Sequence, residues 1–224
     1  MPVAETTRPL LTRRRAETRA RLVQAAGELF DETGTTGAGV NDVCARAGYT
    51  RGAFYSNFDS MDELYLAVCD DRARAFLDQL EAAIDERITA RPGPLDLDHA
   101  VNEVVEVLPL DPSWFAARSV FIAQAAARPM AADLLRRHHE DLLDRLGPLG
   151  TASLRAARRT TTVTESALAE AMLAAYDGAM LHAVLYPNRA HAFLQSAVKA
   201  VLLGSSSTSP LGAGQRTATA SWQR

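Results

Sequence analysis

Residues Val40 to Phe58, VNDVCARAGYTRGAFYSNF, leave the chain little choice of local structure. Val40, Val43, Cys44 and Ala47 fall at i, i+3, i+4 and i+7, which gives a first short helix one apolar stripe. Gly48 follows where a helix stop needs a residue that tolerates positive φ. Thr50 is placed to cap a second helix, and Phe54 and Phe58 give that helix an inward face. Two short helices at an angle across a glycine turn have the spacing of a helix-turn-helix, whose second member lies in a DNA major groove.

Around this stretch, residues 17–69 resemble the DNA-binding domain of the TetR family of bacterial transcriptional regulators. The matching pieces are Ala25-Ala26-Gly27-Glu28-Leu29-Phe30, then Gly34, then Ala47-Gly48-Tyr49-Thr50-Arg51-Gly52-Ala53-Phe54-Tyr55, and finally Phe58 with Asp62-Glu63-Leu64. The resemblance implies an all-α chain of about nine helices. An N-terminal three-helix helix-turn-helix domain would be followed by a C-terminal helical domain for ligand binding and dimerisation. It also implies a homodimer on a palindromic operator, with double-stranded DNA, an unknown small-molecule effector and a second copy of the chain as partners. A repressor released by its ligand is the expected mode, with an activator or an orphan without ligand as the variants within regulation. Three positions depart from the family pattern. Ala38-Gly39 stand where a Thr or Ser would cap helix two and hold a phosphate, Ser60-Met61 lack a Lys at the start of helix four, and Asn57 replaces a His. Those losses give the alternative, a small-molecule carrier or enzyme with a degenerate head, its support.

Composition bounds the rest. A chain of 224 residues buries roughly 70% of its unfolded surface, so a core needs no disulfide or metal staple. Two cysteines make no disulfide framework and fit a reducing cytoplasm. No signal core and no run of about eighteen apolar residues is present, so no membrane partner is expected. Net charge is −3, which taken alone argues against a nucleic-acid binder. Residues 1–55, however, carry 8 Arg against 6 acidic residues, and the remainder 16 basic against 21 acidic. A basic head on an acidic body still attracts phosphate where its arginines cluster.

The domain reading is a flexible basic arm over 1–14, the helix-turn-helix domain over 15–60, the effector and dimerisation domain over 61–204, and a disordered tail over 205–224. Helix one is expected from Arg15 to Thr33. Helix four is expected to run 28 residues from Met61 to Ile88, roughly 40 Å, linking head and body. A fifth helix spans Leu97 to Leu108, a sixth opens at Asp111-Pro112, and a seventh starts near Pro129 with a kink or stop at Gly147-Pro148. Two further apolar helices follow, the last capped by Asn188 and ended by Gly204.

Candidate DNA contacts are Arg13, Arg14 and Arg15, together with Thr50, Arg51, Gly52, Ala53, Tyr55, Ser56 and Asn57. Arg51 is the choice for base reading, because its fork matches the O6 and N7 acceptors of guanine. Gly52 and Ala53 let the backbone approach the groove, and Tyr55 matches the family tyrosine that bonds a phosphate. For an effector cavity the large groups are Phe76, Trp114, Phe115, Phe121, Tyr176 and Met180, with Arg118, Gln124 or His138 as polar handles. The dimer face is expected at Leu168, Met172, Tyr176, Phe193, Leu194, Ala197, Val198 and Val201, as in a four-helix bundle. His138-His139-Glu140 has no metal spacing, Cys44 and Cys69 read as buried small hydrophobes, and no phosphate loop or nucleophile elbow appears. Neither a cofactor, a metal nor catalysis is expected.

Overall fold

Three helices build the head: α1 (Thr7–Thr33), α2 (Val40–Ala47) and α3 (Arg51–Tyr55). A computed structural model of the chain describes residues 7–34, 37–89, 93–106 and 108–208, with side chains from residue 13. Gly34 and Gly48 sit at φ of +60° and +73° and end α1 and α2, as their left-handed backbone requires. The Arg46 guanidinium reaches across from α2 and bonds both carboxylate oxygens of Glu32 at 2.7 Å, pinning the end of α1. Leu22, Ala26, Phe30, Val43, Phe54 and Phe58 close the space between the three helices.

The body follows with α4 (Met61–Thr89), α5 (Leu97–Glu106), α6 (Pro112–Ala125), α7 (Pro129–Ala156), α8 (Glu165–Leu185) and α9 (Ala190–Gly204). At 29 residues α4 is about 43 Å long and runs from the head into the body. The core of the head does not stop at residue 60. It continues through Leu64, Tyr65 and Val68 of α4 into Ala117, Phe121 and Ala125 of α6. A second core joins the far half of α4 to α5, α7, α8 and α9 around Leu80, Val105, Leu154, Leu168 and Leu194. By length and composition α8 is apolar enough to cross a membrane, with a mean hydropathy of 1.2 over eighteen residues. Here it packs between α7 and α9.

Several boundaries differ from the sequence reading. The stretch read as a flexible arm is helical from Thr7, so Arg13, Arg14 and Arg15 project from α1, and Arg13 pairs with Glu17 one turn on at 3.3 Å. Residues 1–6 lie outside the described residues. The fifth helix ends at Glu106, and Leu108 turns back to bond Val105. Helix α7 continues past Pro148 without a stop. Pro148 and Asp144, whose carbonyl loses its partner there, both face solvent, where water can take the bond. Asn188 does not cap α9; it lies in a short 3-10 turn, Pro187–Arg189, and α9 starts after it. The tail begins with order: β2 (Ser206–Thr208) pairs antiparallel with β1 (Arg159–Thr161), and Arg159 Nε donates to Ser206 Oγ at 2.7 Å. Residues 209–224 lie outside the described residues.

Close approach of α7 to α8 depends on glycine. A Cβ at Gly150 would lie 2.8 Å from Met172 Sδ and 3.0 Å from Leu168 Cδ2. Gly150→Val is therefore expected to overpack this contact by about 1–3 kcal/mol, lowering Tm by about 5 °C in scanning calorimetry.

Candidate nucleic-acid interface and effector cavities

Helix α3 is short, and its ends are fixed by its own side chains. Thr50 caps it, Oγ1 accepting the Ala53 N–H at 3.2 Å. Phe54 is fully buried, and Phe58 follows it into the core under the Arg19 guanidinium, 4.7 Å above its ring. What remains outward is Arg51, Gly52 and Tyr55, with Ala53 half-buried between them. Tyr55 is 51% exposed, held edge-on to Phe54 at 5.2 Å, and the Arg51 guanidinium lies 6.0 Å from its ring centre. A Cβ at Gly52 would meet only Thr50 Oγ1 at 3.7 Å, so the protein itself does not demand glycine there.

Two of the expected contacts bond back to the helix itself, Ser56 from an exposed position. Ser56 Oγ donates to the Gly52 carbonyl at 2.8 Å, and Asn57 Nδ2 donates to the Ala53 carbonyl at 2.8 Å. Asn57 is half-buried, with its Oδ1 out of solvent, so it closes the helix end instead of offering a donor outward. Arg14 and Arg15 are exposed and have no ion-pair partner among the described residues.

The family model described as bacterial regulatory proteins, tetR family, matches residues 22–68. Over 54 residues the chain is 43% identical to the HTH-type transcriptional activator FasR of Mycolicibacterium smegmatis, covering 24% of this chain and 25% of that one. It is 33% identical over 102 residues to the HTH-type transcriptional repressor Rv3405c of Mycobacterium tuberculosis, covering 38% of this chain and 54% of that one. The chain thus spans about a quarter and about half of the lengths of these curated relatives. A transcriptional regulator from Rhodococcus sp. Rha1 superposes with a TM-score of 0.57 at 26% identity, over 84% of this chain and 97% of that one. Residues 22–68 thus carry a TetR-family DNA-binding domain pattern, and the chain as a whole is similar in fold to a solved transcriptional regulator.

The positions where this head departs from the TetR-family pattern have structural substitutes. Gly39 has no hydroxyl to cap α2, yet its own N–H donates to the Asp42 carboxylate at 2.8 Å. At the start of α4, Ser60 Oγ accepts the Glu63 N–H at 3.1 Å, and the Glu63 carboxylate accepts the Asp59 N–H at 2.7 Å. That is a capping box displaced by one residue. Both helix starts are therefore held, without the hydroxyl and the ammonium that the family pattern would put there.

In the body, Phe76, Trp114, Arg118, His138, Tyr176 and Met180 come together around a cavity of about 250 Å³ between α4, α6, α7 and α8. Arg118 grips Asp177 through both Nη atoms at 2.5 and 3.1 Å. Asp177 and Arg72 line this cavity too and were missed; Asp177 is the single charged residue between Leu173 and Leu181, a signal that could have found it, whereas Arg72 sits in the charged run Asp70–Arg74 and does not stand out. Phe121 is not a lining residue: it is buried in the head core, stacked on Tyr65 at 4.2 Å. Gln124 lies exposed beside Arg128, and Phe115 does not reach the cavity. Burial pushes the Cys69 thiol up to about 12, and Cys44 is raised as well, so neither is a thiolate.

The expected dimer face is largely the chain's own interior. Leu168 and Leu194 are buried in the second core, Met172, Tyr176 and Val198 line cavities, and Phe193 stacks on His182 at 3.9 Å. Ala197 and Val201 are half-buried. On α8, α9 and the turn between them, the large apolar residues left in solvent are Leu181, Val184, Leu185, Tyr186 and Leu203. Among the described residues no group of three His, Cys, Asp or Glu side chains could hold a metal.

Proposed function

We propose that this protein is a cytoplasmic transcriptional repressor of the TetR family that binds a palindromic operator as a homodimer and leaves it when a small molecule enters the body. The observation that carries this reading is the outward face of α3, where Arg51, Gly52 and Tyr55 stand in solvent over a buried Phe54. Guanidinium, bare backbone and phenol are the groups that fit a base edge, a close groove approach and a phosphate. Arg14 and Arg15 on the neighbouring helix add sequence-independent attraction. One head makes few contacts, so two heads on a twofold axis, reading major-groove segments about 35 Å apart, complete the site.

The second copy would cover the exposed strip of Leu181, Val184, Leu185 and Tyr186. Leu185→Glu is expected to convert dimer to monomer in sedimentation velocity while leaving the helical content unchanged. Effector control needs little energy: a tenfold loss of operator affinity takes about 1.4 kcal/mol of differential ligand binding.

The direct test is a gel shift with DNA from upstream of the chain's own gene at about 50 mM salt, where phosphate contacts bind hardest. A retarded band that persists against competitor DNA supports the reading, and no shift overturns it. One relative is named an activator and another a repressor. A reporter behind that promoter separates the two, since loss of a repressor raises its output.

A further inference from the structure

Two cavities in the body share a wall, and the wall is largely two rings. The more apolar one, about 90 Å³, lies among aliphatic side chains that include Leu80, Ile84, Val101, Val105, Leu194 and Leu202. The polar groups at its edge already have partners. Ser153 Oγ donates to the Leu149 carbonyl at 2.9 Å, Arg87 bonds Glu86 and Glu103, and the Tyr176 hydroxyl donates to the Pro109 carbonyl at 2.6 Å. A space with no unmet donor or acceptor rewards hydrocarbon and rejects polar atoms. Phe76, Leu173 and Tyr176 line both this chamber and the 250 Å³ cavity beside it. The Phe76 and Tyr176 rings stand 4.9 Å apart, tilted by 44°. A turn of the Phe76 side chain would join the two spaces into one site, aliphatic at one end and charged at the other.

The charged chamber favours one sign. Arg72, Arg118 and His138 face it, against Asp111 and Asp177. Asp111 is committed to capping α6, accepting the N–H groups of Ser113 and Trp114. Asp177 has both oxygens on Arg118, and His138 has Asp70 at 2.6 Å. On the basic side donors remain. Arg118 Nε has no hydrogen-bond partner among the described residues, and Arg72 Nη1 lies 3.8 Å from Asp111, beyond hydrogen-bond reach. An anion entering here finds guanidinium donors to take, whereas a cation finds both carboxylates occupied.

We propose that the two chambers are halves of one site for an amphiphilic anion, its carboxylate or similar head against Arg118 and Arg72 and its alkyl chain passing Phe76 into the aliphatic chamber. This inference rests on the reading of the body as an effector site and names the class of effector. The aliphatic chamber has room for roughly six to nine water-sized groups, so chains of octyl to decyl length fill it.

The test uses the full-length protein without DNA, titrated with butanoate, hexanoate, octanoate, decanoate and decylamine. Trp114 fluorescence in a Trp222→Phe background reports binding at the charged chamber. Affinity is expected to rise about fourfold per added methylene through the series, with decanoate at least tenfold tighter than decylamine. Val101→Phe fills the aliphatic chamber and should flatten the dependence on chain length. Should that variant fail to fold, the unmodified protein's series decides alone. A flat series, or decylamine binding as tightly as decanoate, overturns the proposal. A protein that shifts its own upstream DNA yet binds none of these probes sinks this inference and leaves the regulator reading standing. An intact chain-length series without any DNA shift does the reverse.

Discussion

Phe121→Ala is expected to lower the stability of the whole chain by about 3–5 kcal/mol, and Tm by roughly 10 °C for a protein of this size. Phe121 sits on α6, in the middle of the body by sequence, yet its ring stacks 4.2 Å from Tyr65 and is 1% exposed. It fills the core of the head from the body side. Both ends of α6 are also tied down. At one end Arg72 lies between Asp31 of α1 and the Asp111 cap, its guanidinium 4.4 Å above the Trp114 ring. At the other, Arg128 bonds Asp62 at the start of α4 at 2.8 Å. A cavity left by Phe121 would therefore loosen head and body together, and calorimetry should show one transition moved down as a unit. Two separated transitions, with only the lower one shifted, would mean that the head folds by itself and that α6 merely rests on it. A Tm change of a degree or two would mean that Phe121 lines an adaptable pocket, as its sequence position suggested.

The head was legible because its punctuation is local. Gly34 and Gly48 are dictated by backbone conformation, Thr50 by an amide three residues on, and Phe54 and Phe58 by a period of four. Nothing distant can alter those requirements. Two residues expected at the dimer face are interior for the opposite reason. Leu168 and Leu194 belong to stripes whose period is correct, but periodicity says that a face is apolar and is silent on what covers it. Helix α8 is apolar nearly all round, so Leu181 and Leu185 in solvent look no different in sequence from Leu168 in the core. Strand β2 was illegible because its partner lies far back in the chain: Ser206 is ordered by Arg159, and a Ser-rich segment without that residue reads as tail. The cavity was half legible. Size and polarity picked out Trp114, Arg118, His138 and Tyr176, while Arg72 is hidden in the charged run Asp70–Arg74 and has no local signature that sets it apart. Asn57 was placed outward by its position in the motif, and only the bond to Ala53 shows that it serves the helix end.

Arg51→Ala is expected to leave Tm within a degree and to reduce specific DNA affinity by two to three orders of magnitude. The first half follows from the fold. Arg51 is exposed at the first position of α3, and its nearest aromatic contact, Tyr55, is 6.0 Å away. Alanine also favours a helix, so truncation removes no packing and adds no strain. The second half follows from twofold symmetry. A bidentate arginine–guanine pair discriminates by about 1–3 kcal/mol, and a dimer loses it twice, so a middle value gives about 4 kcal/mol, or nearly a thousandfold. The salt dependence separates this role from a phosphate contact. If Arg51 reads a base, the variant should bind specific and random duplexes almost alike, with the slope of log affinity against log salt scarcely changed. If it touches phosphate, affinity for both duplexes should fall together and the slope should drop by about one per head. That second pattern would remove Arg51 as the reader and leave Tyr55, the other exposed side chain of α3, as the remaining candidate on this helix for sensing sequence.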